Sequence, residues 1–266
     1  MIKLILKQIW NKRRANAWIL IELILVTFFM WGVIDPVYVL LSNRAIPPGY
    51  DIDNVFRLTF GQYPSTHHKF NEESNPDSIR RANFLHMYNL VQNYPGVEAA
   101  VITSSHQYPL STSSSNNTLK YDSVKADALV MSFYHDGDFF KVFRIYDVNT
   151  GTIPDHRNPA GRTIYVTKWV DSKLLPDGNL VGKEIYPTYS KDIYYTVTGI
   201  LPDFKFRSTE QPMRAQFIPL EQFDVNDFPW SAQICFRIRD GLSKEVFAEQ
   251  FKQEMTSRMA IGNLYM

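Results

Sequence analysis

One stretch constrains this chain more than any other. From Ala17 to Ile34 it reads AWILIELILVTFFMWGVI, eighteen residues whose only charge is Glu22. As a helix this run is about 27 Å long, against a hydrocarbon core of about 30 Å. Val37 to Leu41, beyond the Asp35-Pro36 pair, extends it to about 38 Å. Eleven of the eighteen are Leu, Ile, Val or Phe. At about 0.3 to 0.6 kcal/mol each they favour insertion by very roughly 5 kcal/mol. Glu22 opposes it by at most about 3 kcal/mol, and less if it lies towards one end. The balance predicts a transmembrane helix over residues 17–41.

Charge then sets an expected orientation. Lys3, Lys7, Lys12, Arg13 and Arg14 fall within the first sixteen residues, with no acid among them. The Lys12-Arg13-Arg14 cluster beside the span predicts a cytoplasmic N-terminus, because cytoplasmic flanks carry the excess of Lys and Arg. Trp18 and Trp31, near the two ends of the run, complete the residues expected to define the topology. A cleavable signal peptide would carry about 7 to 15 apolar residues ending at a small-x-small site. Here the run is longer and the next candidate, Asn43-Arg44-Ala45, is a poor site, so a retained anchor is expected. Within residues 1–16, Ile2, Ile5, Leu6, Ile9 and Trp10 share one side of a helical wheel. Either they form a helix lying in the cytoplasmic interface or they are a plain basic flank. Glu22 has two readings as well, a polar contact with a partner helix or snorkelling to the nearby interface.

The rest of the chain is a different text. Total charge is +1, which offers no electrostatic footprint for nucleic acid, and an apolar content of 45% is ample for a packed core. Pro47-Pro48-Gly49 breaks the helix. Residues 54–61 alternate like a half-buried strand. Asn75-Pro76 is expected to cap and open a helix whose inner face is Ile79, Ala82, Met87, Leu90, Val91 and Tyr94, and Pro95-Gly96 stops it. Strands are predicted over 97–103, 119–122, 126–133, 193–201, 215–220 and 232–239, with 111–117 as a solvated loop. A short helix is predicted near 139–143, a strand and helix through 163–175, and a last helix opening at Ser243 and running to about Arg258. This is an α+β chain: one N-terminal transmembrane helix, then a mixed α/β extracytoplasmic domain of two subdomains over residues 42–266.

No chemistry-bearing constellation emerges. Gly182-Lys183 has the wrong spacing for a phosphate loop, and Glu184 stands where a magnesium-binding Ser or Thr belongs. None of the six histidines forms an H-x-x-x-H pair. His135-Asp136-Gly137-Asp138 lacks the rest of a calcium loop and reads as a polar turn entering a helix. Asn116-Asn117-Thr118 matches a glycosylation triplet, which is short enough to occur by chance. Cys235 is the single cysteine, so an intrachain disulfide is excluded, and it is expected as inert packing within a strand. No catalytic residue, cofactor or metal is assigned, and no enzyme is expected.

From Phe139 onward the order of features resembles the extracytoplasmic core domain of MacB/FtsX-like ABC transporter permeases. The matching text is Phe139-Phe140-Lys141-Val142-Phe143, a glycine turn at Gly151, and Ile164 to Leu175. It continues through Gly182-Lys183, Tyr195-Thr196-Val197-Thr198-Gly199-Ile200 and Asp203. Asn11-Lys12-Arg13-Arg14 ahead of a span is similar to how such permeases begin. Two features depart from the pattern. Thr152 follows Gly151 where the family often has Arg. A complete permease also has three further membrane helices after the outer domain, whereas this sequence stops at Met266, about where the second would begin.

The resemblance implies a part of a permease, working as a homodimer or with a permease partner and a cytoplasmic ABC ATPase. Its outer domain would act as lever and docking surface, and the family supplies no catalytic residue to carry over. The expected location is the cell (inner) membrane, single-pass, with residues 1–16 cytoplasmic and the C-terminal domain extracytoplasmic or periplasmic. A single-pass, membrane-anchored ligand-sensing or binding module is the alternative. With only sixteen residues on the inner side, its output would have to pass through a partner.

Overall fold

The computed structural model describes Trp10 and residues 13–104, 106–111, 114–156, 162–190, 192–207, 209–220, 232–258 and 262–266. Lys12 and the residues proposed for an interfacial face, Ile2, Ile5, Leu6 and Ile9, lie outside the described residues. The chain divides into two compact units. One comprises residues up to Ile46 with Thr209–Gln211, the other Pro47–Ser208 with Pro212–Met266.

The first unit is built on α1, a 33-residue helix over Arg13–Ala45. It runs straight through Asp35-Pro36, so the proline interrupts the apolar text without ending the helix. The stretch Ala17–Ala45 is long and apolar enough to cross a membrane, and none of its most apolar eighteen-residue window is buried. Near its end the Asn43 side-chain amide donates to the Thr209 carbonyl at 2.9 Å.

The second unit mixes helix and sheet. Its strands are β1 (Val55–Leu58), β2 (Gly61–Gln62), β3 (Val97–Ser104), β4 (Ser115–Tyr121), β5 (Val124–Tyr134) and β6 (Thr163–Thr167). They continue with β7 (Glu184–Pro187), β8 (Tyr195–Leu201), β9 (Ala215–Leu220), β10 (Ala232–Ile238) and β11 (Leu264–Tyr265). The helices are α2 (Asp77–Gln92), α3 (Phe139–Val142), α4 (Lys168–Leu174) and α5 (Lys244–Arg258).

Nine strands form one sheet in the order β1-β10-β3-β5-β4-β7-β8-β6-β9, and β9 returns to pair with β5. That last pairing closes β5, β4, β7, β8, β6 and β9 into a ring. β3, β10 and β1 extend from it as an arm, joined through Thr103 opposite Phe133. The long strand β5 belongs to both ring and arm, which share a continuous backbone ladder.

Side-chain alternation divides the core accordingly. On one face of the arm, Ile234, Phe236 and Ile238 of β10 pack under α2 and α5, which contribute Phe84, Met87, Tyr88, Val91, Phe247, Phe251 and Met255. On the other face, Val101 and Cys235 meet Phe133, Phe139, Phe140 and Phe217. A third cluster joins Leu119, Ile164, Val166, Ile185 and Val197 of the ring strands to Val170 and Leu174 of α4.

Three local expectations are corrected. The segment 111–117 is not a loop throughout, because Ser115, Asn116 and Asn117 pair with Val130, Leu129 and Ala128 of β5. The polar run is drawn into the ladder by the strand opposite it. Pro76 is the residue capping α2, without a side-chain cap bond, while Asn75 closes the preceding 3₁₀ turn Glu72–Ser74. The buried face of α2 is Phe84, Met87, Tyr88 and Val91, whereas Ile79 is 39% exposed.

Candidate functional site

Along α1 the residues singled out from sequence fall on an exposed surface. Trp18 is 70% and Trp31 69% exposed, and Glu22 is exposed between them. They are thirteen positions apart, about 20 Å along the axis. Arg13 and Arg14 open the helix. No described structure covers its apolar surface, which in water would be an unsupportable patch of many hundred Å².

Where α1 ends, Pro47 and Pro48 prevent its continuation, and the chain enters the second unit as a short strap, Pro47–Asn54, that leads directly into β1. The strap is bound along its length. The Pro48 carbonyl accepts from the Lys205 backbone amide at 2.9 Å. Gly49 has φ +83° and lies so close to the Asp203 carbonyl that any Cβ would overlap it, so only glycine fits. Tyr50, 9% exposed, packs its ring 4.9 Å from that of Phe204, and burial pushes its phenol up to about 12. The Asp51 amide donates to the Phe143 carbonyl at 2.8 Å.

The centre of this attachment is Arg237, on the face of β10 opposite the α2/α5 layer. Its side chain is 0% exposed. Nε donates to the Val142 carbonyl at 2.7 Å, Nη2 to the Asp51 carbonyl at 2.6 Å, and Nη1 to the Asp53 carbonyl at 2.6 Å. Nη1 also lies 3.3 Å from Asp51 Oδ2. Burial lowers the pKa of Arg237, partly offset by the Asp51 carboxylate. The planar fork suits such a site because its donors reach several carbonyls at once, which an ammonium group does not.

A second guanidinium shares the acid. Arg144, at a strained φ of 47°, reaches Asp51 Oδ2 at 3.4 Å and Asp240 at 2.6 Å. The Asp240 hydrogen bond raises the Arg144 pKa, and the same bond, with one from Asn54 Nδ2, lowers that of Asp240. Thus the strap, α3, the turn after it and the end of β10 are tied at one point.

Sequence reasoning missed this cluster. The one available signal was an arginine inside the otherwise apolar strand AQICFRI. Its partner Asp51 is 186 positions away, beyond any spacing rule.

The residues that carried the family resemblance are structural. Phe139, Phe140, Val142 and Phe143 are core. Gly151 turns the chain at φ +68°, Gly182 donates its amide to the Val197 carbonyl, and Asp203 accepts from the Trp169 amide at the start of α4. His135-Asp136-Gly137-Asp138 forms the turn into α3, with Asp138 at its N-cap. Among the described residues no group of three or more His, Cys, Asp or Glu could hold a metal ion.

Residues 25–254 match the family model of the MacB-like periplasmic core domain. No curated protein matches the chain. Among solved structures, the chain is similar to the extracellular domain of the noncanonic ABC-type transporter YknZ from Gram-positive bacteria. The two share 12% identity and a TM-score of 0.46, over 80% of this chain and 98% of that one. It is also similar to the periplasmic region of MacB from Actinobacillus actinomycetemcomitans, at 11% identity and TM-score 0.49, over 82% of this chain and 89% of that one.

Proposed function

This chain belongs to the family of MacB-like periplasmic core domains, and on that premise we propose that it is the membrane-anchored outer part of an ABC-type permease. In this reading residues 1–16 lie in the cytoplasm, 17–41 span the bilayer and 42–266 face outward. Lys12, Arg13 and Arg14 hold the N-terminus inside, and Trp18 and Trp31 sit towards the two interfaces. Glu22 lies nearer the cytoplasmic side, where it meets a polar group of a partner helix or reaches the headgroups. The chain pairs with a second copy or another permease subunit and with a cytoplasmic ATPase. Nucleotide-driven displacement of α1 is passed to the α/β unit, which handles a substrate or partner outside.

The observation that supports this reading is the extent of the family match. It begins at Leu25, inside the apolar helix, and runs through α5 to Glu254, so helix and domain belong to one family unit. Cys235 is buried, so Gln253→Cys on the exposed side of α5 creates a single reactive thiol for a topology test. A membrane-impermeant maleimide is expected to label it in intact cells, and mild solubilisation is expected to recover the chain with an ATP-hydrolysing subunit. Labelling only after permeabilisation would reverse the orientation. Recovery without any ATPase would favour a stand-alone binding module.

A further inference from the structure

The geometry points to Arg237 as the joint that makes the strap Pro47–Asn54 part of the rigid body of the sheet, so that force on α1 is delivered into β10 and not absorbed by a slack linker. This deepens the proposed function, which it takes as its premise.

A polypeptide between a membrane helix and a folded domain is ordinarily a mobile connector, since such linkers make few contacts. Here eight consecutive residues are held at Pro48, Gly49, Tyr50, Asp51, Asp53 and Asn54. The Asn54 carbonyl accepts from the Ile238 amide at 2.9 Å, which registers the strap against the end of β10 before β1 begins at Val55 opposite Arg237. Arg237 itself is fully buried and spends all three of its nitrogens on the strap and on α3. β10 is paired on both sides, with β1 and with β3, and β3 continues to the ring through β5. A pull on Pro47 therefore loads the Arg237 fork in parallel with the strap's backbone bonds. From β10 the load spreads across the ladder.

The charges facing Arg237 are Asp51 from the strap, Arg144 from the turn after α3, Glu98 from β3 and Asp240 beyond β10. Arg144 and Asp240 form an outer pair, so Arg144→Ala loosens the joint while Asp51 keeps its inner guanidinium.

The test uses the full chain in nanodiscs, with force handles at Ala45→Cys and the C-terminus. The wild type is expected to yield in one event in which the strap comes away together with the sheet. Arg237→Met is expected to add an earlier, low-force step of about 27 Å, the contour of the eight strap residues. Amide hydrogen exchange on the same proteins gives an independent readout. The Asp51 and Val55 amides should exchange as slowly as those of β10 in the wild type. They should exchange on the order of a hundredfold faster in Arg237→Met and about tenfold faster in Arg144→Ala, where Tyr195–Leu201 stay unchanged. A separate early step in the wild type, or unprotected strap amides there, would overturn the joint. So would an Arg237→Met variant whose strap rates match the wild type. If Arg237→Met does not fold, the wild-type trace and the Arg144→Ala rates decide. These readouts concern the chain alone, so they can succeed where the search for an ATPase fails, and the reverse.

Discussion

At the scale of single residues, burial decides behaviour. Cys235 sits in β10 with Thr103 Oγ1 3.9 Å from its sulfur, and burial pushes its thiol up to about 12. The thiolate is the reactive form, so iodoacetamide at pH 8 is expected to leave the native protein unmodified and to alkylate it fully in denaturant. Mass spectrometry distinguishes the two, and rapid native labelling would contradict the packing described. Arg237 is the costlier residue to change. Arg237→Met removes the donor of the Val142, Asp51 and Asp53 carbonyls and one of the two guanidiniums beside the Asp51 carboxylate, and is expected to destabilise the α/β unit by about 3 to 5 kcal/mol in denaturant titrations. Glu22→Leu should act in the opposite sense on α1, favouring membrane insertion by up to about 3 kcal/mol.

At the scale of elements, α5 and α1 are held by different solvents. α5 is polar over most of its surface and owes its place to three residues, Phe247, Phe251 and Met255. The Phe251 ring lies 4.8 Å from Tyr94, 5.2 Å from Phe236 and 5.7 Å from Phe247. Phe251→Ala removes the middle of that stack and is expected to cost about 3 to 5 kcal/mol, read as a shift in the urea midpoint at constant slope. α1 has no such inner face. From Ala17 to Ser42 its side chains are exposed all round, which suits lipid, and Val26→Arg is expected to weaken insertion by about 2.5 to 3.5 kcal/mol in a translocation assay.

For the whole molecule, the titrating groups set a window of stability. Burial raises Tyr50, Tyr165 and Tyr195 to about 12 each. Their unfolded value is near 10, so the folded state keeps their contribution below that pH and loses it as pH rises towards 12. Part of the phenolate absorbance is therefore expected to appear only together with the loss of the dichroism signal. If all fifteen tyrosines ionise with the dichroism unchanged, these rings are not held as described. On the acid side, Asp240 has a lowered pKa because Arg144 and Asn54 bond it. That contribution is present above the ordinary carboxylate value and fades as pH falls below about 4.

The apolar helix, its basic flank, the class of the domain and most of its longer strands could be read in the letters, because each rests on neighbours in the chain. Eighteen consecutive residues suffice to predict a span, and alternation over seven suffices for β8 or β10. The short strands β2, β7 and β11 escaped, being two to four residues long and stabilised by the partner opposite them. Ser115–Asn117 reads as loop and pairs as strand for the same reason. Closure of the ring and the burial of Arg237 against Asp51 were beyond local reading altogether. Both depend on contacts between segments far apart in the chain, and a charge becomes a joint only when the fold removes water from around it and supplies the acceptors.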